Sequence, residues 1–339
     1  MIKDIDQFIE QVTADFNPKQ HKVVGGRFGL KNGKKITLQE IGDDLGITRE
    51  RVRQIEEQCL NKLAPRVKEG AAELINGVVA HLVKMGGVRL DSNFINDVKQ
   101  IYFAGSKAKY LDQKLRFVFL TAKNPFYSRE DDYSNAYWYA DDAAKKKFVE
   151  FIKQMTQFFE TSDRKDLIDN KTYLAQCRDV ASIHLLSIPK NFGTNVFGDI
   201  GLREWPEIDP KAIRDKAYLV LRKYGKPFHF IDIAKHIIKY GIDNKPAHIQ
   251  TVHNELIKDD RFVLVGRGIY GLRENGYEPG TVREVIARIL KKKGALHSQE
   301  VVRLVNEQRI LKENTILLGL QNRRYFKRLD DGRYHVKEV

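Results

Sequence analysis

Apolar side chains recur at intervals of three and four residues between positions 36 and 63, and the pattern breaks once. The first stripe consists of Leu38, Ile41 and Leu45. Gly46 follows it, where a residue in the left-handed conformation commonly ends a helix, and Ile47 fills the turn. The second stripe consists of Val52, Ile55, Cys59 and Leu63. The pattern predicts two short helices that pack on each other across a tight turn.

The starts of both predicted helices carry capping residues. Thr37 and Glu40 have the spacing of a capping box, and Thr48 stands where it can cap the second helix. Four polar side chains point outward near the start of the second helix: Arg49, Glu50, Arg53 and Gln54. Arginine can pair with guanine, glutamate with cytosine and glutamine with adenine, which suits a helix that reads DNA. A solvated charged helix face is the alternative that the spacing leaves open.

The letters of this stretch are close to those of a known family. RFGL at residues 27–30 and TLQEIGDDLGITRERVRQIE at residues 37–56 resemble region 4 of bacterial primary sigma factors, over about residues 17–63. The resemblance implies that the second helix recognises the promoter −35 element, and that the domain docks on the flap of the RNA polymerase β subunit. The part implied to dock departs from the family at Gly25, Gly26 and Asn61. Nothing in the chain resembles sigma region 2.

The resemblance also assigns roles to individual side chains of the second helix. The residues that it implies to face bases are Arg49, Glu50 and Gln54. Those that it implies to lie near the DNA backbone are Thr48, Arg51 and Arg53. The sequence therefore predicts double-stranded DNA with a −35-type element as one partner and core RNA polymerase as another.

Behind this stretch the chain repeats itself, since GLRE occurs at residues 201–204 and again at 271–274. Residues 206–275 predict three helices and a hairpin, and they resemble the HARE-type winged helix through DKAYLVLRKYGKPFHFIDIAKHI and GRGIYGLRE. That family includes the amino-terminal domain of the RNA polymerase δ subunit. Residues 276–339 follow the same order, residues 70–140 follow it loosely, and residues 141–205 predict a helical segment that ends in a strand pair. With residues 1–68 at the front, we predict a mainly α protein with a helix-turn-helix followed by tandem winged helices.

Two of these modules offer secondary DNA contacts. On the third helix of residues 206–275 they are His248, Gln250, His253, Asn254 and Lys258, with Arg267 on the wing. In the last module they are Gln321, Arg323 and Arg324. An ordinary polar surface is the alternative for both. The aromatic run at residues 126–140 lies among carboxylates, which would repel phosphate, and therefore favours a strand core over base stacking.

The formal net charge of +14 indicates an anionic partner, with solubility as the alternative. Two cysteines and scattered histidines predict no metal site, and no catalytic constellation, phosphate-binding loop or cofactor motif is present. We therefore expect no enzyme, no small-molecule ligand and no membrane span, and we expect the bacterial cytoplasm, at the nucleoid.

Three functions remain as hypotheses. The first is a sequence-specific DNA-binding protein of bacterial transcription initiation or its regulation. The second is a δ-like RNA polymerase accessory protein that acts mainly through protein contacts. The third is a nucleoid protein that binds DNA without sequence preference.

Overall fold

The computed structural model describes residue 2 and residues 4–177, 180–242 and 246–337. The chain divides into two compact units, Met1–Gly193 and Thr194–Val339. Sixteen α-helices and ten short β-strands lie within the described ranges. The prediction of a mainly α fold, with a helix-turn-helix followed by winged helices, is confirmed. None of the helices in these ranges is both long and apolar enough to cross a membrane.

The first unit opens with five helices: α1 Ile5–Val12, α2 Pro18–Phe28, α3 Leu38–Leu45, α4 Arg49–Gly70 and α5 Ala72–Lys84. The helix-turn-helix is the pair α3 and α4. Next come β1 Val88–Leu90, α6 Asp91–Tyr102, α7 Leu111–Ala122, β2 Phe126–Ser128 and β3 Tyr137–Tyr139. The three strands form an antiparallel sheet in the order β1-β3-β2. Together with α5, α6 and α7, this sheet gives residues 72–139 the element order of a winged helix.

One apolar core runs through both parts of this unit, from Ile5 to Ala140. Helix α7 packs against α4, and the rings of Phe28 and Phe117 meet edge to face at 5.1 Å. Lys114 of α7 is buried and pairs with Asp6, just after the start of α1. Residues 1–68 and residues 70–140 therefore contribute side chains to the same core.

The aromatic run lies in this sheet. Trp138 on the central strand β3 is fully buried, and its indole N–H donates to Asp91 at 2.8 Å. Tyr127 and Phe94 pack on the same indole ring. The prediction of a strand core is confirmed, because the ring most suited to stacking on bases is inaccessible.

The remaining helices of the first unit are α8 Asp142–Thr161, α9 Arg164–Asp169 and α10 Val180–Leu185, with a 3-10 helix at Thr172–Gln176. Phe148 of α8 and Leu185 of α10 pack with Val88 and Tyr137 of the sheet. This segment thus covers the face of the sheet opposite to α6 and α7. The strands β4 Phe192–Thr194 and β5 Ile200–Leu202 follow, as the sequence predicts.

The second unit contains two further modules with separate apolar cores. The first consists of α11 Ile213–Tyr224, β6 Phe228–His229, α12 Phe230–Lys239, α13 Ile249–Lys258, β7 Phe262–Gly266 and β8 Ile269–Leu272. Its sheet order is β6-β8-β7, and a 3-10 helix at Arg273–Asn275 follows. The second consists of α14 Val282–Lys293, α15 Ser298–Gln308, α16 Glu313–Leu320, β9 Phe326–Arg328 and β10 Tyr334–Val336. A single bridge between Leu296 and Tyr334 stands in place of its first strand.

Arg309 joins these two modules. Its side chain is buried and donates to the carbonyl oxygens of Leu264 at 2.6 Å, Glu278 at 2.6 Å and Gly280 at 3.0 Å. Burial lowers the pKa of this guanidinium, which remains far above neutrality for any arginine. One buried cation therefore connects the wing strand β7 to the start of the last module.

Candidate nucleic-acid interface

Helix α3 begins with the predicted capping box. The Thr37 hydroxyl accepts from the Glu40 backbone N–H at 3.1 Å, and the Glu40 carboxylate accepts from the Thr37 N–H at 2.8 Å. The hydrogen bond from the Thr37 backbone holds the pKa of Glu40 below its usual range. Gly46 ends the helix with a φ of 64°, in the left-handed region. The local signals of the sequence thus fix both ends of the first helix.

The turn between α3 and α4 is closely packed. The Ile47 N–H donates to the Gly42 carbonyl at 3.0 Å, and a Cβ built on Gly42 would lie only 2.7 Å from the Ile47 oxygen. The Thr48 hydroxyl then accepts from the Arg51 N–H at 3.2 Å and starts α4. This close approach fixes where α4 begins relative to α3.

Arg27, from the RFGL segment, braces the pair from behind. Its guanidinium donates to Glu56 of α4 at 3.0 Å and to the Ile36 carbonyl at 2.9 Å. Both charged side chains are largely buried. The sequence comparison drew on RFGL but gave Arg27 and Glu56 no role, and no local signal indicates their pairing, because the two residues are far apart in the chain.

The open face of α4 carries a hydrogen-bonded chain of polar groups. Arg53 donates to the Glu50 carboxylate at 2.8 to 3.1 Å and to Glu57 at 3.0 Å, while Arg51 donates to the Gln54 oxygen at 3.1 Å. The hydrogen bond from Arg53 lowers the pKa of Glu50, and the same pairing raises the pKa of Arg53. Glu50 therefore stays ionised over the whole neutral range.

These contacts differ in part from the roles that the sequence suggests. Arg53 is engaged by two carboxylates, and Thr48 uses its hydroxyl as a helix cap. Arg49 forms no hydrogen bond or ion pair with any other described residue, although its charge helps to lower the pKa of Glu50. Sequence reasoning missed Glu57, which its spacing of four from Arg53 indicates. Arg49 is thus the cation of this face whose donors are unused.

The secondary residues of the second unit occupy several environments. His248, Gln250, Asn254 and Lys258 are exposed on or next to α13, and Arg267 is exposed in the turn between β7 and β8. His253 is half-buried, and its ring stacks on Phe230 at 4.4 Å. The same helix exposes Ile249 and Ile257. The open surface of α13 is therefore neutral and partly apolar rather than strongly basic.

The last module corrects one expectation about its third helix. The sequence predicts a helix that continues through Arg324, whereas α16 ends at Leu320. Asn322 ends it, because its side chain accepts from the Arg324 N–H at 3.1 Å and its carbonyl accepts from the Phe326 N–H at 3.1 Å. Gln321, Arg323 and Arg324 therefore lie in the exposed loop between α16 and β9. Arg324 lies 5.8 Å from the Tyr325 ring centre.

No group of three histidine, cysteine or carboxylate side chains in the described ranges has the geometry to hold a metal ion. What the geometry defines is a protein of helix-turn-helix and winged-helix modules, in which the start of α4 presents hydrogen-bonding groups on a rigid helix. Sequence comparison agrees with this class. Residues 14–64 match the family described as sigma-70, region 4, and residues 212–275 match the HARE-HTH family, described as an HTH domain of ASXL proteins and restriction endonucleases.

The relatives found are RNA polymerase sigma factors, similar over the first match alone. The chain is 50% identical over 53 residues to SigA of Clostridium acetobutylicum and 44% identical over 55 residues to SigA of a Nostoc species. It is 42% identical over 57 residues to sigB of Arabidopsis thaliana. These matches cover 16 to 17% of this chain and only 10 to 14% of the length of the relatives. The likeness therefore concerns one domain.

Proposed function

We propose that this protein binds double-stranded DNA in bacterial transcription initiation or its regulation, and that α4 reads a −35-type promoter element. The observation that carries the proposal is the start of α4, where a capped helix of sigma region 4 type exposes Arg49, Glu50 and Gln54 together. Its action is non-catalytic: affinity comes from phosphate contacts and specificity from base edges.

Each side chain has a distinct task in this proposal. Arg49 has unused donors and forks onto a guanine. Glu50 is kept ionised by Arg53, and as an acceptor it suits the amino group of cytosine. Gln54 pairs with a base one turn further along the helix. Arg51 and the region around Thr48 lie at the phosphates, and Arg53 orients Glu50 rather than reaching the backbone itself.

Binding by the full-length protein to a labelled duplex tests this proposal, with a −35-type hexamer compared with a scrambled hexamer at several salt concentrations. Arg49→Ala should reduce the preference for the hexamer by about 1–3 kcal/mol. Lys68→Ala removes one positive charge from the far end of the same helix and should leave the preference unchanged. Equal binding of both duplexes by the wild type, or an unaltered preference in Arg49→Ala, refutes the proposal.

A second candidate function is that of an accessory protein that holds core RNA polymerase through protein contacts. The exposed Ile249 and Ile257 on α13 favour it, because apolar groups on an open helix suit a protein partner better than phosphate. Capture of core polymerase by the immobilised protein tests it, and polymerase without the β flap shows whether the sigma-like domain is responsible. An Ile257→Lys variant that captures polymerase as well as the wild type contradicts the role of α13.

A further inference from the structure

The second unit carries a group of aromatic rings at its surface that the proposed function does not use. We call it the aromatic patch; it consists of Phe197, Tyr224, Phe228, His236 and Tyr240. All five rings are partly exposed. They come from the turn before β5, the end of α11, the strand β6 and the second half of α12, which is a different surface from α13.

Hydrogen bonds and ring contacts hold the patch in a fixed arrangement. The hydroxyl oxygens of Tyr224 and Tyr240 lie 2.7 Å apart, and the Tyr224 hydroxyl lies 3.3 Å from Nδ1 of His236. The Phe197 ring meets the Tyr240 ring edge to face at 4.8 Å, and Tyr224 meets Phe228 in the same way at 5.1 Å. A ligand that binds here therefore finds rings that are already ordered.

Lysines surround these rings. The Nζ atom of Lys223 lies 5.2 Å from the ring centre of Phe197, that of Lys226 lies 5.4 Å from Phe228, and that of Lys239 lies 6.0 Å from Tyr240. All three lysines are exposed, and none forms an ion pair with a carboxylate within the described ranges. The nearest acidic side chain of α12, Asp232, is paired with Lys235 at 3.1 Å. The patch is thus positively charged at its rim.

We propose that the aromatic patch binds single-stranded nucleic acid, with unpaired bases stacked on the rings and phosphates neutralised by the lysines. Flat aromatic groups inside a basic rim are the two features that single-strand binding combines. A duplex offers the lysines its phosphates but keeps its bases stacked on one another. An acidic peptide satisfies the lysines only, and leaves the rings without a stacking partner.

The test uses the full-length protein and a fluorescent oligothymidylate of about 20 nucleotides, longer than common single-strand site sizes. Tyr240→Leu and Phe197→Leu should each weaken binding about tenfold, which corresponds to ~1.4 kcal/mol. Tyr240→Phe keeps the ring and should bind almost as tightly as the wild type. The matched control is Tyr133→Leu, which removes an exposed tyrosine from the first unit and should bind normally.

Photo-cross-linking locates the contact even if a variant folds poorly. An oligonucleotide with bromodeoxyuridine in place of thymidine should form adducts with wild-type peptides that contain Phe197, Tyr224 or Tyr240. Adducts found only elsewhere overturn the proposal, as does wild-type affinity in Tyr240→Leu. Competition by polyglutamate that equals competition by the unlabelled oligonucleotide also overturns it, since charge alone would then explain binding.

The inference is independent of the role of α4. Arg49→Ala should bind the oligothymidylate like the wild type, and Tyr240→Leu should keep its preference for the −35-type duplex. Failure of one proposal therefore leaves the other in place.

Discussion

Two glycines of the sigma-like domain should respond in opposite ways to the same substitution. Gly25 lies inside α2, and a Cβ added there meets nothing within 4 Å. Gly42 lies inside α3, and a Cβ added there would lie 2.7 Å from the Ile47 carbonyl oxygen. Neither glycine has a positive φ, so the backbone conformation of both sites suits alanine.

The magnitudes follow from two competing effects. Alanine in a helix interior is favoured over glycine by about 1 kcal/mol, so Gly25→Ala should stabilise the first unit by about 0.5–1 kcal/mol. Overpacking a closed site costs about 1–3 kcal/mol. At Gly42 the obstacle is a backbone oxygen, which cannot rotate away as a side chain can. The steric cost therefore wins, and Gly42→Ala should destabilise the unit by about 1–2 kcal/mol.

Denaturant unfolding followed by Trp138 fluorescence measures this difference. The chain has two tryptophans, and Trp138 lies in the core shared by the helix-turn-helix and the first winged helix. A Trp205→Phe background removes the signal of the second unit. Gly42→Ala should also weaken binding to the −35-type duplex, because the turn sets the position of Arg49. The reasoning is refuted if Gly42→Ala is as stable as Gly25→Ala.

Two further predictions concern single side chains. Arg309→Ala should destabilise the second unit by about 2–4 kcal/mol, because it leaves buried carbonyls without donors; Trp205 fluorescence in a Trp138→Phe background measures this, and an unchanged midpoint contradicts it. The pKa of Glu40 is lowered by the Thr37 N–H, so its contribution to stability is complete above the usual glutamate range and disappears as the pH falls through the lowered pKa. Hydrogen exchange of the first-turn amides of α3 should therefore speed up on acidification more in the wild type than in Glu40→Gln, and equal acceleration in both speaks against this.

The helix-turn-helix is the part of the fold that the sequence predicts best, since its signals are local. Thr37 and Glu40 start α3, Gly46 ends it and Thr48 starts α4, each through contacts within a few residues. Such contacts depend little on the rest of the chain. The winged-helix order of residues 206–339 follows in the same way from periodicity and from turn residues.

Contacts between distant residues were not predictable from these signals. The end of α16 is one example, because the apolar period continues past Leu320 and only the hydrogen bonds of Asn322 decide where the helix stops. The pairing of Arg27 with Glu56 is another, since it depends on how α2 packs on α4. The polar face of α4 was correctly predicted to be exposed, but which of its cations is already neutralised depends on side-chain geometry.

The largest surprise is the position of α7, the third helix of the first winged helix. In a winged helix that reads DNA the third helix is the one that enters a groove, and it needs an open face. Here Leu115, Phe117, Val118 and Phe119 are all fully buried, and the helix packs against α4.

This burial gives residues 72–139 a different task from that of a DNA reader. The side chains of α7 lie around its whole circumference in apolar contacts, and its lysine at position 114 is consumed by Asp6. The helix therefore has no face left for phosphates or bases. What it does provide is a continuous core beneath α4, which fixes the far half of that helix while Arg27 and the Gly42 turn fix the near half. The first winged helix is thus a brace, and the rigidity it lends to α4 is what a base-reading surface made of short side-chain contacts requires.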